Sequence, residues 1–114
     1  MWNIPSEERL EKIPRFHKTR NTPLEDRLVY LHFFIRGFNW YVFEFDGKDL
    51  FWGYTILYEC ADDNILFSFR ALKALKTEDD LVAVDCETTD KWMIRKVSEI
   101  AEIKKHLQHV NDLR

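Results

Sequence analysis

The chain has only two cysteines, Cys60 and Cys86, and they lack the CxxC spacing of a redox or zinc motif. Nothing between Met1 and Ser6 follows the charged-then-apolar order of a secretory leader. These absences predict two free thiols in a reducing cytoplasm, where disulfides are rare. No stretch approaches the roughly 20 apolar residues of a membrane helix, because Arg36, Glu44, Asp46 and Lys48 interrupt the apolar runs. A basic patch is missing too. Over 114 residues the net charge is −3 and the pI is near 5.8, with Lys and Arg dispersed. This argues against an electrostatic nucleic-acid binder or a membrane-surface protein, and it is too mild for a mimic of DNA. There is no catalytic motif, phosphate loop, complete metal site, repeat or linker. The expectation is one domain over residues 1–114, with no cofactor and no metal.

What the chain does have is a dense aromatic stretch, Leu28 to Glu59, with two turn signals. It predicts a three-stranded antiparallel meander. In the first strand, Leu28 to Arg36, alternation sends Val29, Leu31, Phe33 and Ile35 to one face and Tyr30, His32, Phe34 and Arg36 to the other. A short connection through Gly37 and Phe38, with glycine supplying a positive φ, leads into Asn39 to Asp46. There Tyr41, Phe43 and Phe45 oppose Trp40, Val42 and Glu44. Asp46-Gly47 is a hairpin signal. The third strand, Asp49 to Tyr58, is apolar on both sides and so belongs in a sheet interior or under two covers. Gly53 marks a bulge or a close-packing point.

Around the meander, Ser6 is placed to cap a short helix running to Ile13, with Glu7 and Glu8 in its first turn and Pro14 stopping it. Arg15 to Arg20 is a basic, irregular segment, read as a contact loop or as a solvated connector. Thr22-Pro-Leu-Glu25 has the pattern of a capping box for a single turn. Cys60 to Asn64 reads as a polar turn and Ile65 to Phe67 as a short strand. Ser68 then caps a helix over Phe69 to Lys76, followed by an acidic loop, Thr77 to Asp80. Leu81 to Cys86 alternates as a strand, and Trp92 to Arg95 as another after a turn at Glu87 to Lys91. The last helix, with Ser98 as its cap, puts Ile100, Ile103, Leu107 and Val110 on one stripe. The sum is an α+β fold: a twisted, mainly antiparallel sheet of four to six strands built on the meander, with the C-terminal helix and one or two short helices packed on it.

The ordered series LEKIP, PLEDRLVYLHFF, NWYVFEFD, LFWGY, LYE, SFRALKAL, VAVDCE and VSEI, within Leu10 to Ile103, resembles the small bacterial family catalogued as domain of unknown function 2958. The chain departs from that pattern after Glu59, where Ile65-Leu66-Phe67 stands in place of a Gly-Tyr-Phe lead. The family has no assigned activity and no catalytic residues to carry over. The resemblance implies cargo of plasmids, phages or integrative elements, a setting in which small proteins block restriction or CRISPR systems by binding a protein.

For a partner-binding surface, the second face of the meander is the first candidate. Tyr30, Phe34, Trp40, Trp52 and Tyr54 gather there beside Arg36, His32 and Glu44, and Asp46, Lys48 and Asp49 form the adjoining DGKD edge. Trp, Tyr and Arg are enriched at interfaces. The competing reading is that the N-terminal segment or second helix covers this face as ordinary core. The alternative is a small metal-dependent hydrolase or nuclease-like enzyme that uses Glu44 and Asp46 as a carboxylate pair together with a histidine, and with Asp49 the two carboxylates would suit a hard cation. His106, His109 and Asp112 are spaced to share a metal on the last helix, against the simpler reading of a solvated helix end. Trp40, Trp52 and Tyr54 with Arg36 and Lys48 would suit single-stranded nucleic acid, but Glu44, Asp46 and Asp49 oppose phosphate there. The expectation is therefore a non-enzymatic, cytoplasmic protein-binding accessory with another protein as its partner. Exposed strand edges leave a homodimer open.

Overall fold

The structure, a computed structural model, describes residues 3–58, 60–75 and 83–112, at 63 and 108–112 by backbone alone. Helix α1 (Glu7–Glu11) begins where the Ser6 hydroxyl oxygen accepts the Arg9 amide at 3.2 Å. A single 3-10 turn, Leu24–Asp26, precedes β1 (Leu28–Val29). Then come β2 (Leu31–Ile35), β3 (Phe38–Phe45), β4 (Leu50–Leu57), β5 (Cys60–Ser68), α2 (Phe69–Ala74) and β6 (Asp85–Cys86). The chain closes with β7 (Arg95–Lys96), a second 3-10 turn (Val97–Glu99) and α3 (Ala101–Asp112). Five strands form one sheet in the order β5-β4-β3-β2-β6, and β1 pairs with β7 beside it. All the pairings are antiparallel. The α+β class, the meander β2-β3-β4 and the C-terminal helix are as the sequence predicts.

Both faces of this sheet are covered. On the first, Leu31, Phe33, Ile35, Trp40, Val42, Phe45 and Phe51 pack under Ile13, under Phe69 and Leu72 of α2, and against Val84. On the second, Tyr41, Phe43, Trp52, Tyr54 and Ile56 pack under Val97, Ile100 and Ile103, under Trp92, and against Phe16 and Leu24. Burying one large apolar side chain is worth roughly 1.5–3 kcal/mol. The two covers thus turn a meander that would be marginal alone into a stable centre.

A bulge determines which side chains share a face. Trp40 pairs with Phe33 on one side and with Thr55 on the other, whereas Tyr41 pairs with Tyr54. The register then slips between Val42 and Glu44, so that Phe43 and Glu44 together oppose Trp52. Phe45 accordingly returns to the first face, beside Phe51, and Glu44 turns to the second. This corrects the strict alternation read from the sequence. Gly53 sits opposite Val42, and a Cβ there would lie 1.9 Å from the Tyr41 carbonyl oxygen. Close backbone approach requires glycine at this position, as expected of a bulge.

Several boundaries differ from expectation. The first strand is broken at Tyr30, whose amide donates to Val42 O at 2.9 Å, and Val29 joins the second core while Leu31 joins the first. In the β2-β3 turn it is Arg36 that takes the positive φ, 50°. Gly37 is needed for space instead, since a Cβ would meet the Tyr58 ring at 2.5 Å. Cys60 to Asn64 is no turn, because pairing with β4 draws it into the nine-residue β5. Trp92 is buried rather than in a strand, with its indole N–H donating to Val29 O at 3.2 Å. Ser98 lies inside a 3-10 turn, where Glu99 Oε1 accepts the Lys96 amide at 3.0 Å. The turn at Leu24 has no side-chain cap from Thr22. Of the expected strand Leu81 to Cys86, residues 81–82 lie outside the described residues, as do Lys76 and the loop Thr77 to Asp80.

Candidate functional site

The most organised polar constellation is built on Glu44. This residue is fully buried, in the middle of an apolar strand, where an isolated carboxylate would be prohibitively costly. Its two oxygens receive four donors from the basic segment that crosses the second face. Oε1 accepts the His17 amide at 2.9 Å and Arg20 Nε at 3.2 Å. Oε2 accepts the Thr19 amide at 2.9 Å and the Thr19 hydroxyl at 2.5 Å. Burial pushes the Glu44 pKa up, but the Thr19 hydroxyl and amide, the His17 amide and the Arg20 guanidinium outweigh it and hold the carboxyl below its ordinary value.

The loop shaped by these bonds is strained at one point. His17 sits at φ 74°, a left-handed conformation uncommon for a residue other than glycine. Arg20 lies 3.8 Å from the centroid of Trp52, and Arg27 approaches the same ring at 4.8 Å, distances at which cation–π attraction is appreciable. About a third of the Arg20 side chain (34 %) stays in solvent, beside the exposed Arg15, His17 and Lys18. A guanidinium stacked on a ring and bonded on one edge is oriented to take a carboxylate or phosphate on its others.

A second polar cluster ties the elements together. His32 stacks on Tyr41 with ring centroids 4.5 Å apart and planes 3° from parallel. Its ring nitrogens lie 2.8 Å from Glu87 Oε1 and 2.8 Å from Asn39 Oδ1. The Tyr41 hydroxyl donates to Glu102 Oε2 at 2.9 Å. Burial, then Glu102, push the Tyr41 phenol far above its usual range, so it is protonated at any physiological pH. These bonds link β2, β3, α3 and the segment after β6, and both His32 nitrogens are occupied.

The residues proposed for the aromatic docking face do not form one. Trp40 is 8 % exposed and Trp52 4 % exposed, and Tyr54 and Glu44 are buried as well. Trp40 is on the opposite face from Trp52 because it pairs with Phe33. Tyr30 packs half-buried against the first core, and Phe34 lies half-buried beside His32. The expectation of an open second face is thereby corrected: α3, Trp92 and the N-terminal segment occupy it. Trp40, Trp52 and Tyr54 are likewise unavailable as stacking platforms for nucleic acid. Arg36 and Lys48 are exposed, each in a hairpin turn.

The acidic residues are not gathered either. Asp46 Oδ1 accepts the amides of Lys48, Asp49 and Leu50 at 2.7, 2.8 and 3.0 Å, which holds the hairpin turn. Asp49 accepts the Ser68 hydroxyl at 2.5 Å and the Arg70 amide at 2.8 Å, which holds the start of α2. Glu44 and Asp46 therefore serve separate sets of donors. Among the described residues no three His, Cys, Asp or Glu side chains are grouped as a metal site would need. The side chains of His109 and Asp112 lie outside the described residues. No helix among the described residues is long and apolar enough to cross a membrane.

The Glu44 anchor was missed by sequence reasoning. Its signal was present in two pieces, one carboxylate inside an aromatic strand and one acid-free basic segment, Arg15 to Arg20, with nothing local to join them. No family model, no curated protein and no solved structure matches the chain. The resemblance drawn above rests on the order of short motifs alone.

Proposed function

We propose that the protein is a non-enzymatic binding accessory and that the loop Arg15 to Arg20 is its docking surface for an acidic region of another protein. The observation that carries this reading is the buried Glu44 carboxylate, whose four donors hold a basic, exposed loop in one strained shape. A solvated connector needs no such anchor. Strain retained at a loop by surrounding structure is a common mark of a recognition site, and conserving the loop's shape lowers the ordering cost of binding. The resemblance to the family of domain of unknown function 2958 supports a setting on a mobile element in the cytoplasm. On that reading the partner is a component of a host restriction or CRISPR complex.

The test is plating of phage on hosts carrying an active restriction or CRISPR system, with and without the protein. Wild type is expected to raise plating efficiency and to copurify with a component of that system. The double variant Arg15→Glu, Lys18→Glu, whose side chains lie outside the Glu44 anchor, is expected to give up the Arg15 bond to Ile13 O at 3.3 Å, to stay folded and to lose both effects. Retention of both by the folded double variant would remove the loop from the interface. A wild type that protects against neither type of system would overturn the defence role.

A further inference from the structure

We propose that β5 is a self-pairing edge, and that two copies of the chain join β5 to β5 antiparallel, so that their five-stranded sheets become one. β5 is nine residues long and lies at one end of the sheet, bonded on a single side to β4. The opposite end is β6, only two residues long. Along the outer side of β5 the backbone groups have no strand partner among the described residues, and such a row is a template for another strand.

The two halves of β5 differ. The first half is guarded by a bulge, where residues 63–64 oppose Tyr54, and by the polar run Asp62, Asp63, Asn64. The second half is regular and apolar: Ile65, Leu66 and Phe67 pair in step with Gly53, Trp52 and Phe51. Leu66 is 59 % exposed, and Ile65 and Phe67 are half-buried at the margin of the first face.

The occupant is a second copy because the strand complements itself. A two-fold axis through Leu66 keeps each side chain on its own face and sets Leu66 against Leu66. Ile65 then meets Phe67 of the second copy, and Asn64 meets Ser68. Every contact off the axis occurs twice, as an isologous interface requires. Apolar groups meet apolar groups and neutral polar groups meet each other, so no like charges are directly opposed among these pairs.

Sedimentation velocity of the full chain over a wide concentration series tests this. The expected result is a concentration-dependent doubling of mass. Leu66→Lys, at an exposed side chain, is expected to keep the wild-type melting temperature and weaken dimerisation by about tenfold or more. A wild type that stays monomeric throughout would overturn the proposal. So would a dimer indifferent to Leu66→Lys. The Arg15→Glu, Lys18→Glu variant is expected to dimerise normally, which separates this edge from the docking loop.

Discussion

Arg20 stands between Glu44 and Trp52, its Nε 3.2 Å from a carboxylate oxygen and its guanidinium carbon 3.8 Å from the indole centroid. One cation thus neutralises the buried acid and covers the ring, while keeping part of itself in water. Sheet, core and basic loop meet at this contact, and stability and recognition are coupled through it.

Glu44→Gln preserves the shape of the side chain and removes its charge. An amide nitrogen then faces donors that both oxygens previously accepted, and Arg20 loses its counter-charge. Arg20 stays hydrated because a third of its side chain is in solvent, and leaving buried donors unsatisfied typically costs about 1–3 kcal/mol. Urea unfolding followed by circular dichroism is expected to show a loss of that order. Rapid amide exchange at His17 and Thr19 should accompany it.

Acid should act through the same carboxylate. Its folded pKa lies below the ordinary 4.5, so the unfolded chain binds the proton first as pH falls. The stabilisation is complete above about 4.5 and is lost as pH drops through the lowered value. Asp46 is also held low: burial opposes this, but three turn amides outweigh it. Asp49 is held low by Ser68 and then by the Arg70 amide. The two add to the same slope. Melting temperature plotted against pH should fall on the acid side for wild type and be flatter for Glu44→Gln.

Gly53 and Gly37 separate two reasons for glycine. At Gly53 the added methyl meets the Tyr41 carbonyl oxygen at 1.9 Å, and neither backbone can move without undoing the bulge. Gly53→Ala is expected to cost about 3 kcal/mol or more. At Gly37 the obstacle is the ring of Tyr58, an exposed side chain. Ring rotation should limit the cost of Gly37→Ala to about 1 kcal/mol. Equilibrium denaturation of the two variants decides.

The two thiols should react unequally. Cys60 is exposed, whereas Cys86 is buried. Burial pushes the Cys86 thiol up to about 11, so little thiolate forms near neutrality. Titration of the native protein with a thiol reagent at neutral pH is expected to label one equivalent quickly. The second should appear only in denaturant, and Cys60→Ser should abolish the fast phase.

Local chemistry was readable in advance. Ser6 and Ser68 cap helices as their positions imply, Asp46-Gly47 turns the chain, and Gly53 marks the bulge, because each depends on a few neighbouring residues. Cys60 to Asn64 misled because Asp62, Asp63 and Asn64 suit a turn. It is pairing with β4 that extends them, and polar residues are tolerated at an edge that faces water. The aromatic face misled for a related reason. Alternation says that Trp52 and Tyr54 share a side, but not whether another segment lies over that side.

By itself the sequence determined the α+β class, the central meander and the Ser6 and Ser68 caps, since periodicity and turn chemistry are local properties. The tertiary structure alone decided which segments cover the sheet, which face each tryptophan joins and what satisfies Glu44. The buried carboxylate and its donors are separated by 24 residues or more in the chain, and a pairing over that distance is selected only when the sheet brings its ends together.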